Sequence, residues 1–282
     1  MSDIDVTLSD SSFSKLRSII HKNTGITIGE TRKTMILSRL RSRLRETKDV
    51  SFSAYISRLG TDPKEMQELI NRVTTNKTYF YRTPRIWEHF LEVALPEFRL
   101  KATAAPFRVW SAAASRGDEA HTIGMVLEEV RKKDGPFEYE VLGTDVSSEV
   151  LATAQAGVYF EGSLKEIRKH RPALVQDHMT GNDADGYRVT PDIKSRITFK
   201  LHNLQNKAPG GKVHDVIFLR NVLIYFTPED QETILENVAE KMADDGTLII
   251  GESETLSQLT TPFELVAPMV YRKRDFLSGT RQ

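Results

Sequence analysis

Apolar positions in the first 75 residues recur at helical spacing. Phe13, Leu16, Ile19 and Ile20 form one stripe that stops before Gly25, and Ile36, Leu37, Leu40 and Leu44 form a second. Ser51 precedes Phe52, Tyr55, Ile56 and Leu59. Asp62-Pro63, an N-cap followed by proline, precedes Met66, Leu69, Ile70 and Val73. Short helices at this spacing predict a small bundle. The pattern changes after Pro106. Short apolar runs at Phe107–Ala113, Tyr139–Gly143, Val216–Leu219 and Thr247–Ile250 read as strands. They alternate with helical patterns over Glu119–Lys132, around Val150, Leu151 and Ala154, and around Ile234, Val238 and Met242. Such alternation predicts an α/β fold on a parallel sheet. Residues 181–201, with Gly181, Asn182, Gly186 and Pro191 around Tyr187–Thr190 and Ile197–Leu201, read as a polar antiparallel insertion and not as a crossover. Phe263–Val266 and Val270–Lys273 predict a closing antiparallel pair.

Composition narrows the class. The chain has 282 residues, enough for one large domain or two smaller ones, and its 39% hydrophobic and 28% charged content excludes wholesale disorder. Lys+Arg and Asp+Glu both number 39, which excludes a uniformly charged binder. The zero is a sum of opposites: residues 1–82 hold 15 Lys/Arg and 9 Asp/Glu, and the remaining 200 hold 24 and 30. With no cysteine there is no disulfide, thiolate metal site or cysteine nucleophile, and a reducing compartment fits. The seven histidines lack ligand spacing, so no metal is expected. The start MSDIDVTLSD is acidic without an apolar run, and the longest apolar stretches are far below membrane-spanning length. The expectation is a cytoplasmic monomer without membrane insertion.

Four segments carry candidate chemistry. In doubly wound sheets, ligands sit at the carboxyl ends of the strands near the switch point. Ser111–Glu119 (SAAASRGDE) follows the first strand with small residues and Gly117, and opens a helix whose N–H groups suit an anion. It is not G-x-G-x-x-G, so the dinucleotide fingerprint is absent. Asp145 ends the second strand, where a carboxylate accepts both ribose hydroxyls. Together these favour a nucleoside cofactor without pyrophosphate, with S-adenosylmethionine the obvious candidate. An equally simple reading has Asp145 capping the next helix beside Ser147 and Ser148. Arg220, Asn221 and Tyr225 in RNVLIYF follow the strand Val216–Leu219, and Thr74–Arg82 (TTNKTYFYR) precedes the α/β part.

Together TTNKTYFYR, VWSAAASRGDEA, GTDVSSEVLATAQAGVY, the HNL at 202–204 and VIFLRNVLIYF resemble the CheR-type chemotaxis receptor methyltransferases over about residues 10–275. The resemblance implies a Rossmann-like class I methyltransferase domain with a small antiparallel β insertion (about 160–201), preceded by a small all-α domain. The implied division is 1–75 helical domain, 76–90 linker and 91–282 methyltransferase domain. It implies methyl transfer from S-adenosylmethionine to glutamate side chains of chemoreceptors, leaving S-adenosylhomocysteine. By matching position, Asn76, Thr78 and Arg82 would line the cofactor site from the linker, Glu119 and Asp145 would contact the cofactor, and Asn203-Leu204 would pack at its adenine end. Asn221 would join the cofactor side, and Arg220 and Tyr225 would lie near the reacting methyl with Arg82. The chain departs from the family pattern at Asp118-Glu119 (usually Glu-Glu), Ala120-His121 (usually Pro-Tyr), Lys77 (often an acid), Leu219 (often cysteine) and Met179-Thr180.

Residues 31–48 carry seven Lys/Arg and one acid, with Arg32, Arg39 and Arg43 on one helical flank and Arg41, Arg45 and Lys48 on another. The resemblance places the acidic helices of the receptor's cytoplasmic domain against such a helix. Arg32, Arg39, Arg43 and Arg45 are thus the partner-binding candidates, ahead of a merely solvated face or nucleic acid. Competing readings are methylation of another substrate class by the same fold, and a catalytically weak relative that binds S-adenosylmethionine or S-adenosylhomocysteine as a signalling module.

Overall fold

The computed structural model describes residues 7–101 and 103–274; residues 1–6 of the acidic start and 275–282 of the expected second domain lie outside the described residues. Four helices form the first unit: α1 (Asp10–Thr24), α2 (Lys33–Thr47), α3 (Phe52–Leu59) and α4 (Pro63–Val73). Their ends follow from the residues expected to cap them. Gly25 stops α1 in the left-handed conformation (φ 74°), the Ser51 hydroxyl accepts from Ala54 N, and Asp62 accepts from Lys64 N and Glu65 N ahead of Pro63. The predicted stripes meet in one core of Phe13, Leu16, Ile20, Ile36, Leu40, Leu44, Phe52, Tyr55, Leu59 and Leu69.

A helical arm, α5 (Pro84–His89) running through a π turn into α6 (Leu95–Leu100), leads to the second unit. There β1 (Phe107–Ala112), α7 (Asp118–Asp134), β2 (Tyr139–Asp145) and α8 (Ser148–Ala156) follow in alternation. Next come β3 (Val158–Tyr159), α9 (Glu161–His170), α10 (Pro172–His178), β4 (Met179–Asn182), β5 (Gly186–Val189), α11 (Pro191–Lys194) and β6 (Ile197–Leu201). The described residues end with β7 (His214–Leu219), α12 (Pro228–Ala239), β8 (Met242–Ile250), β9 (Phe263–Ala267) and β10 (Val270–Lys273). The main sheet has the order β6-β2-β1-β7-β8-β10-β9, with β10 antiparallel to both neighbours. Its switch point lies at β1, between β2 and β7. The small sheet β3-β5-β4 is antiparallel.

Two readings are corrected. Ile197–Leu201 is not part of the antiparallel insertion: β6 pairs parallel with β2 from Val141↔Ile197 to Asp145↔Leu201 and forms an edge of the main sheet. Its apolar–polar alternation, with Ile197 and Phe199 half-buried and Thr198 and Lys200 exposed, reflects an edge strand with one open face. Residues 146–196 are therefore a crossover with the small sheet inserted in it. Met242 opens β8 and does not extend α12, because the register shift between His214 and Val216 lets β8 start early. Among the described residues, no helix is long and apolar enough to cross a membrane.

Candidate functional site

The carboxyl ends of β1, β2 and β7 open into a cleft of about 1170 Å³, open solvent at its mouth included. All ten cofactor-binding and catalytic candidates line it: Asn76, Thr78 and Arg82 from the linker, Glu119 and Asp145 from the first two strand ends, Asn203 and Leu204 after β6, and Arg220, Asn221 and Tyr225 after β7. Of the basic-helix candidates, Arg32 also lines it. The opposite wall was not foreseen. It comes from the helical unit, through Thr24 at the end of α1 and Ile26, Thr27 and Ile28 just after it.

Asp145 caps the start of α8, as one of the two readings of its position has it, and also holds the loop after β1. Its Oδ1 accepts from Ser147 N at 2.9 Å, ahead of α8, and its Oδ2 accepts from Ser115 N at 2.9 Å, which ties down the loop after β1. Burial pushes its pKa up, opposed by these N–H groups. The loop itself is strained: Ala113, Ser115 and Gly117 have φ of 98°, 49° and 87°. Five of the seven described non-glycine residues with left-handed backbone (Tyr81, Thr83, Ala113, Ser115 and Asn221) lie in or beside the cleft-lining segments, as expected where function shapes a backbone. Gly117 is required, because a Cβ there would lie 2.8 Å from Ala154 Cβ and 2.9 Å from the Tyr159 hydroxyl.

Glu119 and Arg220 form a buried ion pair at 2.8 Å, and Ser111 Oγ donates to the other Glu119 oxygen at 2.8 Å. Arg220 also donates to the Arg82 carbonyl at 3.1 Å, while its Nε is buried without an acceptor. Arg82 itself donates to the Lys77 carbonyl at 3.3 Å, with its guanidinium 5.5 Å from the Tyr79 ring centre. The Asn203 side chain is committed elsewhere. It donates to Asn23 O at 2.9 Å and accepts from Gln205 N at 3.0 Å, joining the two units. Thr27 N donates to Tyr225 O at 2.8 Å, and His21 meets Asp230 at 3.0 Å.

The basic helix divides by role. Arg39 donates to the Arg72, Val73 and Thr74 carbonyls at 2.9–3.2 Å and so closes the C-terminus of α4. Arg43 binds Glu65 through two hydrogen bonds at 2.9 and 2.6 Å, and holds that carboxyl below its usual range. Both side chains thus serve the helical unit internally. Arg32 and Arg45 are exposed.

Two positioning features escaped the sequence. Asn71 on α4 accepts from Ser148 N and Ser147 Oγ, both at 3.0 Å, and caps α8 across the unit boundary. Its only signal is an amide on the buried face of a helix. Glu254 receives the loop after β7 and has no local signature at all.

A mostly parallel sheet of this order, with an acidic β2 terminus and a glycine-turned first loop lacking the pyrophosphate fingerprint, defines the class of S-adenosylmethionine-dependent methyltransferases. The CheR methyltransferase all-alpha domain matches residues 11–74, and the CheR methyltransferase SAM binding domain matches residues 76–271. The chain is 31% identical over 278 residues to the chemotaxis protein methyltransferase of Borreliella burgdorferi, covering 96% of this chain and 97% of that one. It is 32% identical over 271 residues to that of Escherichia coli, covering 94% and 92%. The chain belongs to the CheR methyltransferase family, and its cofactor is S-adenosylmethionine.

Proposed function

We propose that this chain methylates glutamate side-chain carboxylates of chemoreceptors at the mouth of the cleft. The observation that carries this reading is the cationic mouth. Arg32, Lys77 and Arg82 all line the cleft, and among the described residues none has a carboxylate within ion-pairing distance. Unpaired cations at a cofactor cleft suit an anionic acceptor and steer it inward.

The residues present fit S-adenosylmethionine. Asp145 would hold the ribose hydroxyls, and Arg220, which lines the cleft beside Glu119, would face the carboxylate end of the cofactor. Glu119 offers its charge to an ammonium, and Leu204 with Val146 provides apolar surface for a base. When bound, the cofactor supplies a methyl group made electrophilic by its sulfonium. This chain's residues then have little covalent work. A glutamate has a reference pKa of about 4.3 and is ionised at neutral pH, so no general base is needed. Arg82 and the Tyr225 hydroxyl orient the acceptor by holding one carboxylate oxygen, leaving the other free to attack. Arg220 is 7% exposed and paired with Glu119, which supports a place on the cofactor side, with orientation of the acceptor falling to Arg82 and Tyr225. Excluding water from the acceptor falls to the wall Ile26–Ile28 and to Tyr225.

The test uses a receptor helical segment and its Glu→Gln counterpart with labelled S-adenosylmethionine. Label on the first alone supports the reading; equal labelling of both, or of neither, overturns it.

A further inference from the structure

Glu254 lies on the loop after β8, outside every motif the sequence singled out. Its carboxylate accepts four backbone N–H groups. Oε1 takes Val222 N and Leu223 N, both at 2.8 Å, and Oε2 takes Asn221 N at 2.8 Å and Gly251 N at 2.6 Å. Four donors fill the acceptor capacity of an ionised carboxylate, and charge makes each bond stronger than its neutral counterpart. Three of the four come from consecutive residues between Arg220 and Tyr225. The short 3-10 turn Leu223–Tyr225 begins there, so Glu254 takes N–H groups that a helix start leaves unpaired. Asn221 is held at φ 57°. Gly251 makes the close approach possible, since a Cβ there would lie 2.6 Å from both Glu254 Oε2 and Asn221 Nδ2.

We propose that Glu254 is a positioning residue for methyl transfer, fixing the loop that presents Tyr225 to the acceptor side of the cleft. The inference rests on the acceptor reading given above. The loop is fastened at two ends: the Tyr225 carbonyl takes Thr27 N from the helical unit, and Glu254 takes the Asn221–Leu223 amides. Without the carboxylate these amides lose their acceptors and the left-handed Asn221 loses its support, so the loop relaxes and the Tyr225 hydroxyl moves. Asp145 and Ser115, at the ends of the other strands, do not depend on Glu254. Cofactor binding and acceptor orientation should therefore separate.

The experiment compares full-length wild type with Glu254→Ala and Glu254→Gln. It reads S-adenosylhomocysteine affinity, kcat and KM on a receptor helical segment, and amide hydrogen exchange of residues 221–223. In Glu254→Ala kcat should fall roughly ten- to hundredfold, the penalty of a misplaced orienting group, with Kd within about threefold of wild type. Added formate should restore part of the rate in Glu254→Ala and not change wild type. A kcat within about twofold of wild type, a Kd that worsens in step with kcat, or no response to formate overturns the proposal. Where Glu254→Ala binds no cofactor, Glu254→Gln gives the same split, because its amide accepts fewer of the four N–H groups. Wild type that binds cofactor yet leaves the segment unlabelled refutes the acceptor reading alone. The exchange data then decide the loop: lost protection at 221–223 in the variants supports positioning by Glu254, and retained protection overturns it.

Discussion

Asp118 opens α7 with its carboxylate fully buried, and neither oxygen has a hydrogen bond of good geometry, the Ser163 hydroxyl and its own backbone N–H giving only partial support. Burial raises its pKa from 3.8 to about 6, against the pull of Arg116 at 3.7 Å. The folded state thus holds this proton more tightly than the unfolded chain. Below the unfolded value the group is protonated in both states and contributes nothing. As pH rises from there to about 6, only the unfolded chain ionises freely, and a cost to folding builds up. Above about 6 the cost is complete, and the distance between the two values corresponds to about 3 kcal/mol. Asp118→Asn is nearly isosteric and cannot ionise. It should raise the unfolding free energy by up to about 3 kcal/mol at pH 8, progressively less through pH 6, and by almost nothing near pH 3. Urea denaturation of both proteins across this pH range measures the difference. A difference that does not change with pH, or an Asn variant less stable at pH 8, would refute the reasoning. Arg116 also donates to the Thr78 carbonyl at 3.2 Å and the Ser163 hydroxyl at 3.1 Å, so the strained carboxylate stands behind a residue that holds the linker.

Three further outcomes follow from the geometry. Tyr225→Phe keeps the ring and removes the hydroxyl; kcat should fall about tenfold while S-adenosylhomocysteine affinity, read by calorimetry, stays within about twofold. Gly117→Ala meets both a left-handed backbone and Ala154 Cβ at 2.8 Å; thermal melts should show a loss of about 1–3 kcal/mol, and cofactor affinity should drop because the Ser115 loop shifts. Arg39→Met removes the three-carbonyl clamp on α4 and should cost about 1–2 kcal/mol in denaturant melts. It should leave the salt dependence of kcat/KM for the acceptor unchanged.

The helices of the first unit were legible because their stripes, caps and stops are local: Ser51, Asp62-Pro63 and Gly25 act within a few residues of their own positions. The buried parallel strands were equally plain as apolar runs. β6 was misplaced because an edge strand shows only half of that pattern, and whether it joins one sheet or another is decided by pairing partners far along the chain. The helices α9 and α10 went unread beside it, although Leu164, Ile167, Leu174 and Val175 are buried. In the site, residues next to strand ends were found from topology. Those that act across long sequence separations were not: Asn71 caps a helix 77 residues later, and Glu254 serves a loop some 30 residues earlier. Charge counting marked α2 as basic but could not see that Arg39 and Arg43 turn inward to Thr74 and Glu65.

Carboxylate methylation at this cleft is tested most directly by the chemistry of the product. Wild-type protein and Asp145→Ala are incubated with methyl-labelled S-adenosylmethionine and receptor-bearing membranes, and the receptor band is treated with mild alkali. The predicted result is label released as methanol from the wild-type reaction, the signature of a carboxyl ester, with little label from Asp145→Ala. Label that resists alkali, or an Asp145→Ala variant as active as wild type, would contradict it.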